Sequence, residues 1–144
     1  MNTRRITILL VTILLLSLTG ASIAYARASS YLESYFVMLT PKEGENGRMI
    51  VSFWVQGTGI MDKIGADAIQ IQRRSGTDWI TEATYAGEDD PSLFYGTNVS
   101  QYRNEFNYYG TPNYDYRAVI YVYAGNSSGS DTGNHTSGSV TCKP

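Results

Sequence analysis

Apolar residues in this chain recur at every second position, in runs too short and too often interrupted for helices to form the body of the fold. From Arg48 to Gln56, Met49, Val51, Phe53 and Val55 share one face, and Ile50, Ser52, Trp54 and Gln56 the other. Asp67 to Arg74 repeats the pattern, with Ile69 and Ile71 inward and Gln70 and Gln72 outward. The longest run, Tyr114 to Ala124, alternates Tyr116, Ala118, Ile120 and Val122 with Arg117, Val119, Tyr121 and Tyr123. Tyr31 to Thr40, Trp79 to Tyr85, Ser100 to Tyr108 and a final edge around Ser139 to Cys142 complete the set. About seven short strands, each with one face for a core and one for water, predict an all-β antiparallel sandwich.

The breaks between runs carry turn chemistry. Pro41-Lys42-Glu43-Gly44 and Gly110-Thr111-Pro112-Asn113 are turns, and Ser75-Gly76-Thr77-Asp78 is a hairpin loop. Gly87 to Asn98 is a loop in which Pro91 suits the first position of one helical turn. Ile60 to Ile64, bracketed by Gly59 and Gly65, can form another such turn. Gly125 to Gly138, rich in Gly, Ser, Asn and Thr, is expected to be a loop.

The N-terminus has a different character. Arg4-Arg5, the apolar run Ile6 to Leu18 and the small-residue ending Ala24-Tyr25-Ala26 follow the order of a secretory signal peptide, with cleavage expected after Ala26 and a second site two residues on, at Ala28. The apolar stretch is shorter than the roughly 20 residues a spanning helix needs. Thr7 stands where a twin-arginine signal would carry a large apolar residue, so the general secretory route is preferred. The expected organisation is a helical signal peptide over 1–26 and one sandwich domain over 27–144, released outside the cell.

Losing Arg4 and Arg5 leaves nine basic residues against thirteen acidic ones, a net charge of about −4. Such a surface has no basic stripe for a nucleic-acid backbone or an anionic membrane. Cys142 is the only cysteine, which rules out an internal disulfide. Two residues from the C-terminus, it reads as a fraying terminal residue, with pairing between chains as the alternative.

Tyr116-Arg117-Ala118-Val119-Ile120-Tyr121-Val122-Tyr123-Ala124-Gly125-Asn126 resembles the penultimate strand of immunoglobulin-like and fibronectin type III domains. The resemblance implies a tyrosine corner at Tyr116, or else Tyr114, bonding back to the preceding turn. With no cysteine pair, the fibronectin-like variety is the better match. Across the whole domain, Gly57-Thr58-Gly59-Ile60-Met61-Asp62-Lys63-Ile64-Gly65-Ala66 with Ile69-Gln70-Ile71 and Tyr116 to Gly125 resembles a family of small secreted Gram-positive proteins. That family resemblance implies no activity.

Candidate sites are few. His135 is the only histidine and falls in the Gly/Ser-rich segment, so a solvated loop position is expected rather than a triad or zinc site. Glu88, Asp89 and Asp90 are candidates for weak Ca²⁺ binding, with Asp62 and Asp131 as further loop oxygens, but adjacent carboxylates diverge and a hydrated turn is preferred. No cofactor is required. The same acids as a glycosidase pair would need a cleft between them. The Asn98, Asn126 and Asn134 sequons follow from composition in a bacterial protein and would be glycosylation acceptors in a eukaryotic one.

Tyrosine is the conspicuous enrichment, and Tyr121 and Tyr123 share an outward face. With Trp54, or Trp79, on that face they would form an aromatic platform for sugar rings or a protein surface; the alternative is ordinary cross-strand pairing. The expected function is a non-catalytic extracellular recognition module for a polysaccharide or protein. A self-associating matrix component is the alternative, and a hydrolase comes third.

Overall fold

The computed structural model describes residues 29–144; the expected signal peptide and the Ala26 cleavage site lie outside the described residues. Nine strands follow in order: β1 (Leu32–Pro41), β2 (Arg48–Met61), β3 (Lys63–Ser75), β4 (Asp78–Ala86), β5 (Tyr95–Gly96), β6 (Val99–Tyr109), β7 (Asp115–Asn126), β8 (Gly129–Thr136) and β9 (Val140–Thr141). One helical turn, α1 (Pro91–Phe94), precedes β5. All pairings are antiparallel. One sheet has the order β1-β2-β6; the other runs β4-β3-β7-β8, with β5 on β3 and β9 on β7. This is an all-β antiparallel sandwich: seven substantial strands, with two of only two residues added.

The alternation of the sequence is the reason for the core. Met49, Val51, Phe53 and Val55 from β2 face Ile69 and Ile71 from β3 and Ala118, Ile120 and Val122 from β7, all buried. Each large apolar side chain so buried contributes about 1.5–3 kcal/mol. α1 closes one side. Pro91 starts it, Asp90 Oδ1 caps it by accepting from the Leu93 N–H at 3.2 Å, and Phe94 enters the core, stacked on Phe53 at 5.9 Å.

Three local expectations are corrected. Ile60 to Ile64 forms no helical turn: β2 runs on to Met61 and β3 starts at Lys63, with Asp62 alone as a bend between them. The β2–β6 register jumps from Gln56↔Gln101 to Met61↔Val99, so Thr58 to Ile60 bulge out exposed while Met61 and Ile64 stay buried as the chain crosses between sheets. Gly125 to Gly138 is not a loop, since β8 occupies most of it. Its glycines make room for β1 and the residue before it: a Cβ at Gly133 would overlap the Tyr35 ring, and one at Gly129 would come 2.6 Å from Tyr31 Oη. Cys142 does not fray. It is fully buried, its Sγ 3.4 Å from the Gly47 carbonyl oxygen, and its backbone N–H and C=O bond Tyr114 and Asn113. Burial pushes the thiol pKa up, so neither exposure nor reactivity favours pairing between chains.

The tyrosine corner is present at Tyr116. This ring is fully buried, and its hydroxyl accepts from the Thr111 N–H at 2.9 Å and donates to Glu82 Oε2 at 3.1 Å. Tyr108 donates to the same oxygen at 3.1 Å, and Arg73 binds the other one. Burial alone would raise the Glu82 pKa, but the bonds from Arg73, Tyr108 and Tyr116 outweigh it and hold the carboxyl below its ordinary range. A carboxylate depressed in the folded state contributes stability above its unfolded pKa of roughly 4.3 and loses it as the pH falls through the folded value. Glu82→Gln is therefore expected to be less stable than the parent at pH 7, with the gap closing progressively below about pH 4. Urea unfolding at a series of pH values measures this; a gap independent of pH would contradict it.

Candidate functional site

The outer faces of the two sheets point in opposite directions, and this decides which aromatics can act together. Trp54 lies on β2 and alternates with buried Phe53 and Val55, so it faces outward from the three-stranded sheet. Tyr121 and Tyr123 alternate with buried Ile120, Val122 and Ala124 on β7 and face outward from the other sheet. The expected joint platform of Trp54, Tyr121 and Tyr123 does not form: they stand on opposite sides of the molecule.

On the six-stranded side the aromatics are dispersed. The Arg117 guanidinium lies 4.5 Å over the Trp79 ring and its Nε donates to Gln72 Oε1 at 2.7 Å. Tyr121, 40% exposed, is separated from Trp79 by this polar array. Tyr123 is half-buried, and Lys63 Nζ stands 5.5 Å from its ring and 3.7 Å from that of Tyr95. Tyr95 in turn donates to Asp67 Oδ1 at 2.7 Å. Desolvation first, and this bond to Asp67 second, push the Tyr95 pKa upward. These contacts are internal to the sheet.

On the three-stranded side, Trp54 finds a different partner. Cross-strand register sets Phe36, Trp54 and Arg103 in one row and Met38, Ser52 and Glu105 in the next. The Phe36 and Trp54 rings lie 5.7 Å apart, tilted by 54°. Phe36 is 40% and Met38 50% exposed. Ser52, the small member of its row, leaves a depression among them, so that a groove of about 590 Å³ opens on the sheet surface, with Gln101, Arg103 and Glu105 along its β6 side. Trp54 Nε1 donates to Gln101 Oε1 at 3.2 Å, fixing the indole against that side. Ser52 Oγ donates to Glu105 Oε2 at 3.4 Å.

The acidic run has another role at one of its members. Asp90 caps α1 and also accepts from Ser92 Oγ at 2.8 Å. Glu88 and Asp89 are exposed, and among the described residues no group of three His, Cys, Asp or Glu is arranged to hold a metal ion. Asp131 lies on β8 and accepts from Ser29 Oγ at 2.6 Å and from the Tyr31 N–H at 2.9 Å. His135 is not a solvated loop residue: it is half-buried on β8, and its Nδ1 accepts from the Val37 N–H at 3.4 Å. His135 ties β8 to β1, and Asp131 ties it to the segment just before β1.

Fold and site together define a β-sandwich with an aromatic groove on one outer face. Among the described residues no helix is long and apolar enough to cross a membrane. Comparison with family models, with curated proteins and with solved structures gives no match.

Proposed function

We propose that this chain is a secreted, non-catalytic recognition module that holds an extracellular polysaccharide on the outer face of β1, β2 and β6. One observation carries the reading: the outward-facing Phe36–Trp54 pair, Phe36 exposed and Trp54 half-buried, beside a groove whose other wall is Gln101, Arg103 and Glu105. Aromatic faces supply flat apolar area for the C–H face of a sugar ring. Amide, guanidinium and carboxylate groups supply the donors and acceptors its hydroxyls require. The volume lies in the range of ligand sites, and an open sheet surface lets a polymer pass across it. The N-terminal signal motif supports an extracellular setting.

Affinity electrophoresis through gels containing xylan, glucomannan or hydroxyethylcellulose tests this. The parent protein is expected to be retarded by at least one of them. Trp54→Ala is expected to weaken retention by about 10–100-fold, the scale of an aromatic hot spot. Ser52→Trp, which fills the depression without removing a core side chain, should do the same. Circular dichroism checks that both variants fold. Migration unaffected by every polymer, or retention unchanged in both variants, would overturn the proposal.

A further inference from the structure

Among the described residues β6 ends the three-stranded sheet and pairs with β2 alone, leaving an edge of eleven residues. Such an edge is a template for another strand unless something blocks it. Here one backbone donor, the Glu105 N–H, is covered by Asn104 Oδ1 at 2.9 Å rather than by a strand. Donors alternate along an antiparallel strand, so the N–H groups of Gln101, Arg103, Glu105 and Asn107 share that open edge.

Set antiparallel against itself about Asn104, β6 is self-complementary. Arg103 meets Glu105 of the second copy and Glu105 meets its Arg103; Gln101 meets Asn107, and Val99 meets Tyr109. Among the described residues the Arg103 side chain has no hydrogen-bond or ion-pair partner, and Glu105 has only the Ser52 hydroxyl at 3.4 Å. Val99 and Tyr109 are both exposed apolar side chains. Register is discriminated as well. A slip must move by two residues to keep the faces matched, and the neighbouring symmetric registers centre on Arg103 or Glu105, placing like charges opposite each other.

We propose that β6 pairs with β6 of a second copy of this chain about a two-fold axis at Asn104, joining two three-stranded sheets into one of six. The contact is isologous and therefore closes as a dimer. Glu105 N–H passes from Asn104 Oδ1 to the Arg103 carbonyl of the second copy. The two grooves then adjoin across the seam; that consequence bears on ligand binding through the reading above, whereas the pairing rests on the edge alone.

Sedimentation velocity on the purified protein at low salt, from nanomolar to high micromolar concentration, tests it. The parent is expected to dimerise within this range and to do so less at high salt. Arg103→Glu and Glu105→Arg each place two like-charge pairs across the axis and are expected to weaken the dimer by about tenfold or more. The double variant Arg103→Glu/Glu105→Arg restores opposite charges and should recover most of that loss, with the same circular dichroism throughout. A parent that stays monomeric, single variants that dimerise as well as the parent, or a double variant no better than the singles would overturn the proposal.

Discussion

Alanine at Gly65 is expected to destabilise the domain by roughly 3 kcal/mol, near the upper end for overpacking. For a domain of this size the melting temperature should fall by on the order of 10 °C. Gly65 pairs with Tyr95 where β3 meets β5. A Cβ there would overlap the Phe94 carbonyl oxygen and stand 2.9 Å from the Tyr95 Cα. Both obstacles are backbone, so no rotamer change relieves them. Displacing that backbone moves Phe94, which stacks on Phe53 and meets Phe106 edge-on at 5.8 Å, so the clash reaches the core. Gly59→Ala is the control: it belongs to the same sequence motif, and a Cβ there meets nothing within 4 Å. Thermal unfolding followed by circular dichroism should separate the two variants. A Gly65→Ala protein as stable as Gly59→Ala would contradict the packing described.

Truncation of Tyr116 is expected to be as severe. Removing the fully buried ring in Tyr116→Ala should cost about 3–5 kcal/mol, combining lost burial with the cavity left behind. Tyr116→Phe keeps the ring and should cost about 1–2 kcal/mol, because the Thr111 N–H loses its acceptor and Glu82 one of its donors. The difference between the variants separates packing from the polar corner. If Phe proved as damaging as Ala in urea unfolding, the hydroxyl network rather than the ring would dominate. If it were neutral, the corner would be incidental. Because Glu82 also receives Tyr108 and Arg73, Tyr116→Phe and Glu82→Gln should be non-additive.

Much of the sandwich was legible because period-two alternation reports directly on burial. Met49, Val51, Phe53 and Val55 point inward as the pattern requires, and so do Tyr116, Ala118, Ile120 and Val122. The hairpin at Gly76 and the helical turn after Asp90 follow from turn and capping chemistry, which is local. β8 escaped because its stability is not local. Gly129 and Gly133 look like loop residues until Tyr31 and Tyr35, about a hundred residues away at the start of the domain, are seen to need their space. His135 and Cys142 were misplaced for the same reason, their partners Val37 and Gly47 being about a hundred residues away in the chain.

The site was legible by half. Alternation says whether a side chain faces in or out of its own sheet, but not which sheet a strand joins. Trp54 was therefore recognisable as an outward aromatic, while its companions Phe36 and Met38 emerge only from the β1–β2 register. Tyr121 and Tyr123 drew attention by abundance, yet they belong to the opposite face. The signal that could have found the groove is the small Ser52 among bulky outward neighbours, and it acquires meaning only once Met38 and Glu105 are set on either side.

The most direct test of the groove is an amide and indole N–H chemical-shift map of the protein titrated with a soluble oligosaccharide from whichever polymer retards it. The largest shifts should fall on Phe36, Ser52, the Trp54 indole and Gln101 to Glu105, with Tyr121, Tyr123 and Trp79 unmoved. Shifts centred on Tyr121, Tyr123 or Trp79 would contradict the assignment of the binding face, and titration without any shift would contradict polysaccharide recognition itself.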